Sequence, residues 1–193
     1  MAVVSIKNKL RRGNLLVGND PYIPTDFESI ATTILTGNTT SVTFSSIPQT
    51  YTHLQLRMLL RSSGGSTFTF GKIYFNGDTT NANYATHRLS GNGSSAGAGA
   101  STTDGSFGDF AGLNAPANVF GVSIVDILDY TNTNKYTTSR YFNGVETNAY
   151  GDVRISSQLW ENTAAITSLS ISQWDNDPLV QYSHFALYGI RSA

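Results

Sequence analysis

Cysteine is absent from the 193 residues of the chain, which excludes a disulfide framework and every thiolate metal site and fits maturation in a reducing cytoplasm. Charge is scarce as well: Asp, Glu, Lys and Arg make up 13% of the chain, and methionine and tryptophan number two each. No stretch approaches the run of about 18 apolar residues that a membrane helix needs. The opening "MAVVSIKNKLRRG" has a basic cluster but lacks the apolar run of about 7–15 residues and the small-residue cleavage site of a secretory signal, so none is expected. Helix signals are nearly missing throughout.

What is present suits one domain. An apolar fraction of 39% supports a single core, and a chain of this length buries roughly 70% of the surface that it exposes when unfolded. The formal net charge of −1 hides an asymmetry. Residues 1–24 hold Lys7, Lys9, Arg11 and Arg12 against Asp20, whereas the remainder is acidic. An acidic body argues against nucleic acid as the main partner, because affinity for phosphate backbones comes from clustered Lys and Arg.

From residue 27 onward the chain alternates short runs rich in Val, Ile, Thr, Tyr and Phe with Gly, Asn, Asp and Pro, the pattern of strands and turns. In "THLQLRMLLRS", Leu54, Leu56, Met58 and Leu60 share one face and His53, Gln55, Arg57 and Arg61 the other, which is the period of a half-buried strand. In "TFTFGKIYFNGD" the aromatic parity changes near Gly71 and Lys72, which predicts a bulge, and Asn76-Gly77 predicts a tight turn. "YSHFALYGI" is apolar on both parities, as in a strand covered on both faces, and so points to a neighbouring subunit or a second layer. About ten such runs predict an all-β fold, a single β-sandwich of jelly-roll type. Residues 90–105, "SGNGSSAGAGASTTDG", carry one charge and no large side chain and read as a flexible Gly/Ser/Ala-rich surface loop.

Catalytic signatures do not emerge. His53, His87 and His184 fall in three separate runs with no second His, His-Glu pair or Gly-x-Ser-x-Gly turn nearby, so no catalytic, cofactor-binding or metal-ligating residue is assigned. Asp175 and Asp177 in "WDNDP" read as turn residues before Ca²⁺ ligands. Asp126, interrupting an apolar run, calls for a partner such as Arg140 or Arg154. The ten Tyr and two Trp could stack on sugars where exposed, although sheet packing accounts for most tyrosines in such a fold.

The N-terminal stretch reads as an extended docking arm over residues 1–26, ahead of a body over 27–193. Lys7, Lys9, Arg11 and Arg12 give it charge for encounter with an acidic partner, and Leu10, Leu15, Leu16, Val17, Tyr22 and Ile23 give it apolar anchors. Gly13 and Gly18 permit bends, and Pro21 and Pro24 favour an extended end. Fully extended, such a segment spans about 80 Å against a body roughly 40 Å across, so it can reach beyond its own subunit.

Three stretches, "FESIATTILTGNTTSVTFSSIPQTYTHLQLRMLLRS", "ANVFGVSIVDILDYTNTNKYTTSR" and "YSHFALYGI", resemble a family of tailed-bacteriophage virion structural proteins common among cyanophages and environmental phages. The resemblance covers roughly residues 27–190. It implies a non-enzymatic virion protein without cofactors, assembled in the bacterial host cytoplasm. Its partners would be other virion proteins, the major capsid protein or tail proteins, with a homo-oligomer, a trimer first, and no membrane. A head decoration or cement protein held by its arm is the first expectation; a tail-fibre, tail-adaptor or receptor-binding protein recognising host surface glycan is the alternative.

Overall fold

A computed structural model describes residues 26–103, 105–148 and 150–191. Twelve strands account for the fold: β1 (Phe27–Ile34), β2 (Ser41–Phe44), β3 (His53–Leu60), β4 (Phe68–Phe75), β5 (Tyr84–Gly91), β6 (Ala96–Ser101), β7 (Ser106–Ala111), β8 (Gly121–Ile127), β9 (Thr137–Glu146), β10 (Gly151–Trp160), β11 (Leu169–Gln173) and β12 (His184–Ile190). They form an eight-stranded sheet in the order β1-β12-β3-β8-β9-β10-β5-β6 and a four-stranded sheet in the order β2-β11-β4-β7. Every pairing between these strands is antiparallel. The two sheets pack as a β-sandwich, with β7 lying over β8, β9 and β10.

Alternation fixes which residues meet. On β3 the predicted face of Leu54, Leu56, Met58 and Leu60 is buried, and β12 sets Phe185 and Leu187 beside Met58 and Leu56. From the smaller sheet come Val42 and Phe44, Ile73 and Phe75, Leu169 and Ile171. Each large apolar side chain taken fully from water contributes about 1.5–3 kcal/mol. Rings fill the middle: Phe107 stacks on Tyr141 at 5.8 Å, and Phe75 lies 5.6 Å from Trp160. The Trp160 indole donates to Asp78 Oδ2 at 2.9 Å, so its N–H is satisfied at the core margin.

Two sequence expectations need correction. Residues 90–105, expected as a loop, contain β6, which pairs with β5 from Thr86↔Ser101 to Gly91↔Ala96. The hairpin closes because Asn92 Oδ1 accepts from the backbone N–H of Ser94 (3.0 Å) and Ser95 (2.8 Å), while Gly93 takes a φ of +83° that favours glycine. Pairing, not side-chain burial, orders this small-residue strand.

The second concerns the bulge. Phe70 pairs with Asp109 and Gly71 with Phe107, so the extra residue is Gly108 on β7, while β4 keeps its parity. Thr69, Gly71, Ile73 and Phe75 are buried, and Phe68 and Phe70 point to the opposite side. Gly71 is glycine for a close approach: a Cβ there would stand 2.0 Å from the Phe107 ring.

Candidate functional site

Strands β9 and β10 carry their polarity reversed. Facing the smaller sheet, β10 places Asp152, Arg154, Ser156 and Gln158, and β9 places Ser139 and Asn143, all buried. Away from it, β10 places Val153 and Ile155, 52% and 57% exposed, and β9 places Phe142, 54% exposed. The polar side is held by hydrogen bonds. The Tyr141 hydroxyl donates to Gln158 Oε1, Ser139 Oγ lies 3.3 Å from the same oxygen, and Gln158 Nε2 donates to Gly105 O at 3.2 Å. Asn143 Nδ2 donates to Ser123 Oγ at 2.7 Å.

At the edge of this layer Arg154 donates to Asp109 Oδ2 at 2.8 Å, with Asp152 Oδ2 3.7 Å from its Nε. Among the described residues Asp109 Oδ1 has no hydrogen-bond partner. Burial pushes the Asp109 carboxyl up to about 6, against the downward pull of Arg154.

On the far side of the eight-stranded sheet, register aligns the exposed apolar residues into rows. One row runs Leu59–Val122–Gly144–Val153 across β3, β8, β9 and β10; the next runs Ile124–Phe142–Ile155–Leu89–Ala98 across β8, β9, β10, β5 and β6. Gly144 supplies no side chain to its row, and a hollow of about 660 Å³ lies there, lined by Leu59, Val122, Gly144 and Val153. A second hollow of about 680 Å³ is lined by Leu89, Ala98, Arg140 and Ile155. Phe142 belongs to the row of Ile155 and Leu89 that borders the second hollow.

Toward β12 the same face is covered from within the chain. Tyr188 stacks on Phe27 at 4.8 Å, and the Arg57 guanidinium lies 5.2 and 5.4 Å from the two ring centroids. The apolar second parity of "YSHFALYGI" is therefore partly covered by its own sheet. The uncovered apolar area lies over β8, β9, β10 and β5. Four strands about 4.8 Å apart and two rows about 6.7 Å apart span about 250 Å², a minor part of the roughly 800 Å² per partner of a standard protein interface.

The residues singled out from sequence are placed as follows. Lys7, Lys9, Leu10, Arg11, Arg12, Leu15, Leu16, Val17, Tyr22 and Ile23 lie outside the described residues. The three histidines are not brought together: His184 is opposite Leu59 and His53 opposite Ile190, at the two ends of the β3–β12 pair, and His87 is on β5. His53 Nδ1 accepts from the Asp129 N–H at 3.0 Å. Asp126 lies beside Arg140 in register, but its Oδ1 accepts from Gln55 Nε2 at 2.8 Å; Arg154 serves Asp109 instead. In "WDNDP" the turn reading holds, since Gln173 Oε1 accepts from the N–H of Asp175 and Asp177 and Asn176 takes a φ of 63°. Among the described residues no group of three or more His, Asp or Glu is placed to hold a metal ion. Sequence reading missed Leu89, Val122, Phe142, Val153 and Ile155 as a surface; the available signal was that "GDVRISSQLW" alternates polar and apolar from Asp152 to Ser156.

Comparison with known proteins finds no matching family model, curated protein or solved structure.

Proposed function

We propose that this chain is a non-enzymatic structural protein of a tailed-bacteriophage virion. In this reading it is a head decoration or cement protein with a β-sandwich body of jelly-roll type. It self-associates around a symmetry axis, as a trimer, and is fastened to the particle by its N-terminal arm. The sequence resemblance supports the virion setting. The observation that carries self-association is the reversed polarity of β9 and β10, which leaves Phe142, Val153 and Ile155 on a face that the smaller sheet does not cover.

A second copy is the occupant that suits this face. Its two hollows, one lined by Leu59, Val122 and Val153 and the other by Leu89 and Ile155, offer apolar recesses to side chains of a neighbouring copy. The charges on it, Arg57 and Arg140 against Asp126 and Glu146, cancel, so like copies do not repel. The placement in the particle is tested by stoichiometry. Stained bands of purified virions, compared with the major capsid protein, should show copies in proportion to the shell subunits; a fixed few copies per particle would replace decoration with a tail role.

A further inference from the structure

On the opposite side of the sandwich, at the β7 edge of the four-stranded sheet, lies a groove of about 350 Å³ whose lining includes Ser66, Phe68, Phe70, Arg88, Trp174 and Asp175. Arg88 is its one residue that also lines a hollow of the assembly face, the one beside Leu89 and Ile155. Three of its six named residues are aromatic, and each ring is backed by another side chain. Phe68 packs on Tyr150 at 4.7 Å, the Arg154 guanidinium lies 5.1 Å from the Phe70 centroid, and Lys72 Nζ lies 4.1 Å from that of Trp174. Backed rings keep their orientation before any ligand arrives, which lowers the ordering cost of binding.

The polar groups differ in kind from those of an anion site. Arg88 makes no hydrogen bond or ion pair among the described residues. It lies across Gly99 of β6, where a Cβ would stand 2.9 Å from its Cζ, so the missing side chain is what lets the guanidinium lie there. Asp175 is exposed, and its Oδ2 has a single long contact, 3.4 Å from Gln173 Nε2. One donor fork and one acceptor pair are thus presented beside flat apolar rings. A ligand matching this has an apolar face and a rim of neutral hydroxyls, which describes a pyranose sugar. The volume lies at the small end of ligand pockets and takes one or two sugar rings.

We propose that this groove binds a neutral carbohydrate, the rings of Phe70 and Trp174 taking the C–H face of a pyranose while Arg88 and Asp175 bond its hydroxyls. The proposal does not depend on the virion reading, because it is tested on the isolated chain. The probes are glucose, galactose, N-acetylglucosamine and their 1,4-linked disaccharides, read by saturation-transfer NMR and by tryptophan fluorescence. Of the two tryptophans, Trp160 is buried, so a fluorescence change reports on Trp174. At least one sugar should bind in the millimolar range, with transfer strongest to ring C–H protons. Trp174→Ala and Arg88→Met should each weaken it about tenfold or more at unchanged melting temperature, and Phe142→Thr on the other face should leave it intact. Absence of transfer to every sugar in the panel, or binding that survives both groove substitutions, would overturn the proposal.

Discussion

Replacing Phe142 and Ile155 together by threonine tests whether the outer sheet face is an interface. The two residues are register partners on β9 and β10, 54% and 57% exposed in the single chain. Full burial of such a side chain is worth about 1.5–3 kcal/mol, so the half still exposed represents about 1 kcal/mol for each. In a trimer the face of every copy is covered, so the double substitution removes about 2 kcal/mol of association per copy, before any hydroxyl left unpaired adds to the loss. Threonine keeps the strand preference of a β-branched residue, so the body should still fold, with a modest fall in melting temperature from the half of each side chain that already packs within the sheet.

The assay is sedimentation velocity or light scattering across micromolar concentrations, with far-UV circular dichroism as the folding check. The parent chain should be an oligomer and the double variant a folded monomer. A parent that stays monomeric at the highest soluble concentration, or a variant of undiminished mass, would refute the argument from reversed polarity.

Two further outcomes follow from particular residues. Because the Asp109 carboxyl is raised on folding, its contribution to stability is present below the unfolded value near pH 4 and lost as pH rises through about 6; Asp109→Asn should abolish that slope, and urea titrations with parallel pH profiles for both proteins would show the assignment to be wrong. Deleting residues 1–24 should leave the melting temperature of the body unchanged while abolishing its attachment to particles that lack the protein, whereas replacing Lys7, Lys9, Arg11 and Arg12 by Glu should chiefly slow attachment and change its salt dependence; normal attachment of the truncated chain would deny the arm its role.

Strands whose side chains report burial were legible in the sequence. β3 is announced by alternation, and the run "THLQLRMLLRS" contains it end to end. The two that were missed carry no such report. β6, "AGAGAS", has neither branched nor aromatic residues and exists because β5 offers it a hydrogen-bonding edge. In β7, "SFGDFA", Phe107 and Phe110 are both buried although three residues apart, since the bulge at Gly108 resets the alternation between them. The same bulge misled the reading of β4: Phe68 and Phe70 looked like core residues, and the structure turns them outward, where they became part of the groove.

What alternation cannot give is the sign of a face. In β10 it states that Val153 and Ile155 share one side and Asp152, Arg154 and Gln158 the other, but which side meets the core depends on strands far away in sequence. Here Trp160 and Tyr141 settle it: both are large, both are nearly inaccessible, and both lie on the polar parity of their strands. A one-residue slip would turn Val153 and Ile155 inward but expel Trp160. It would also break eight register pairs with β5 that run from Val153↔Gly91 to Trp160↔Tyr84. Tyr84 is itself tied down, accepting from the Phe75 N–H at 3.1 Å and donating to Asp78 O at 2.9 Å. The single chain thus keeps its aromatic core at the expense of an apolar outer face. Covering that face with a second copy removes the conflict without moving any strand, which is why the reversed polarity of β9 and β10 points to assembly rather than to a loosely specified fold.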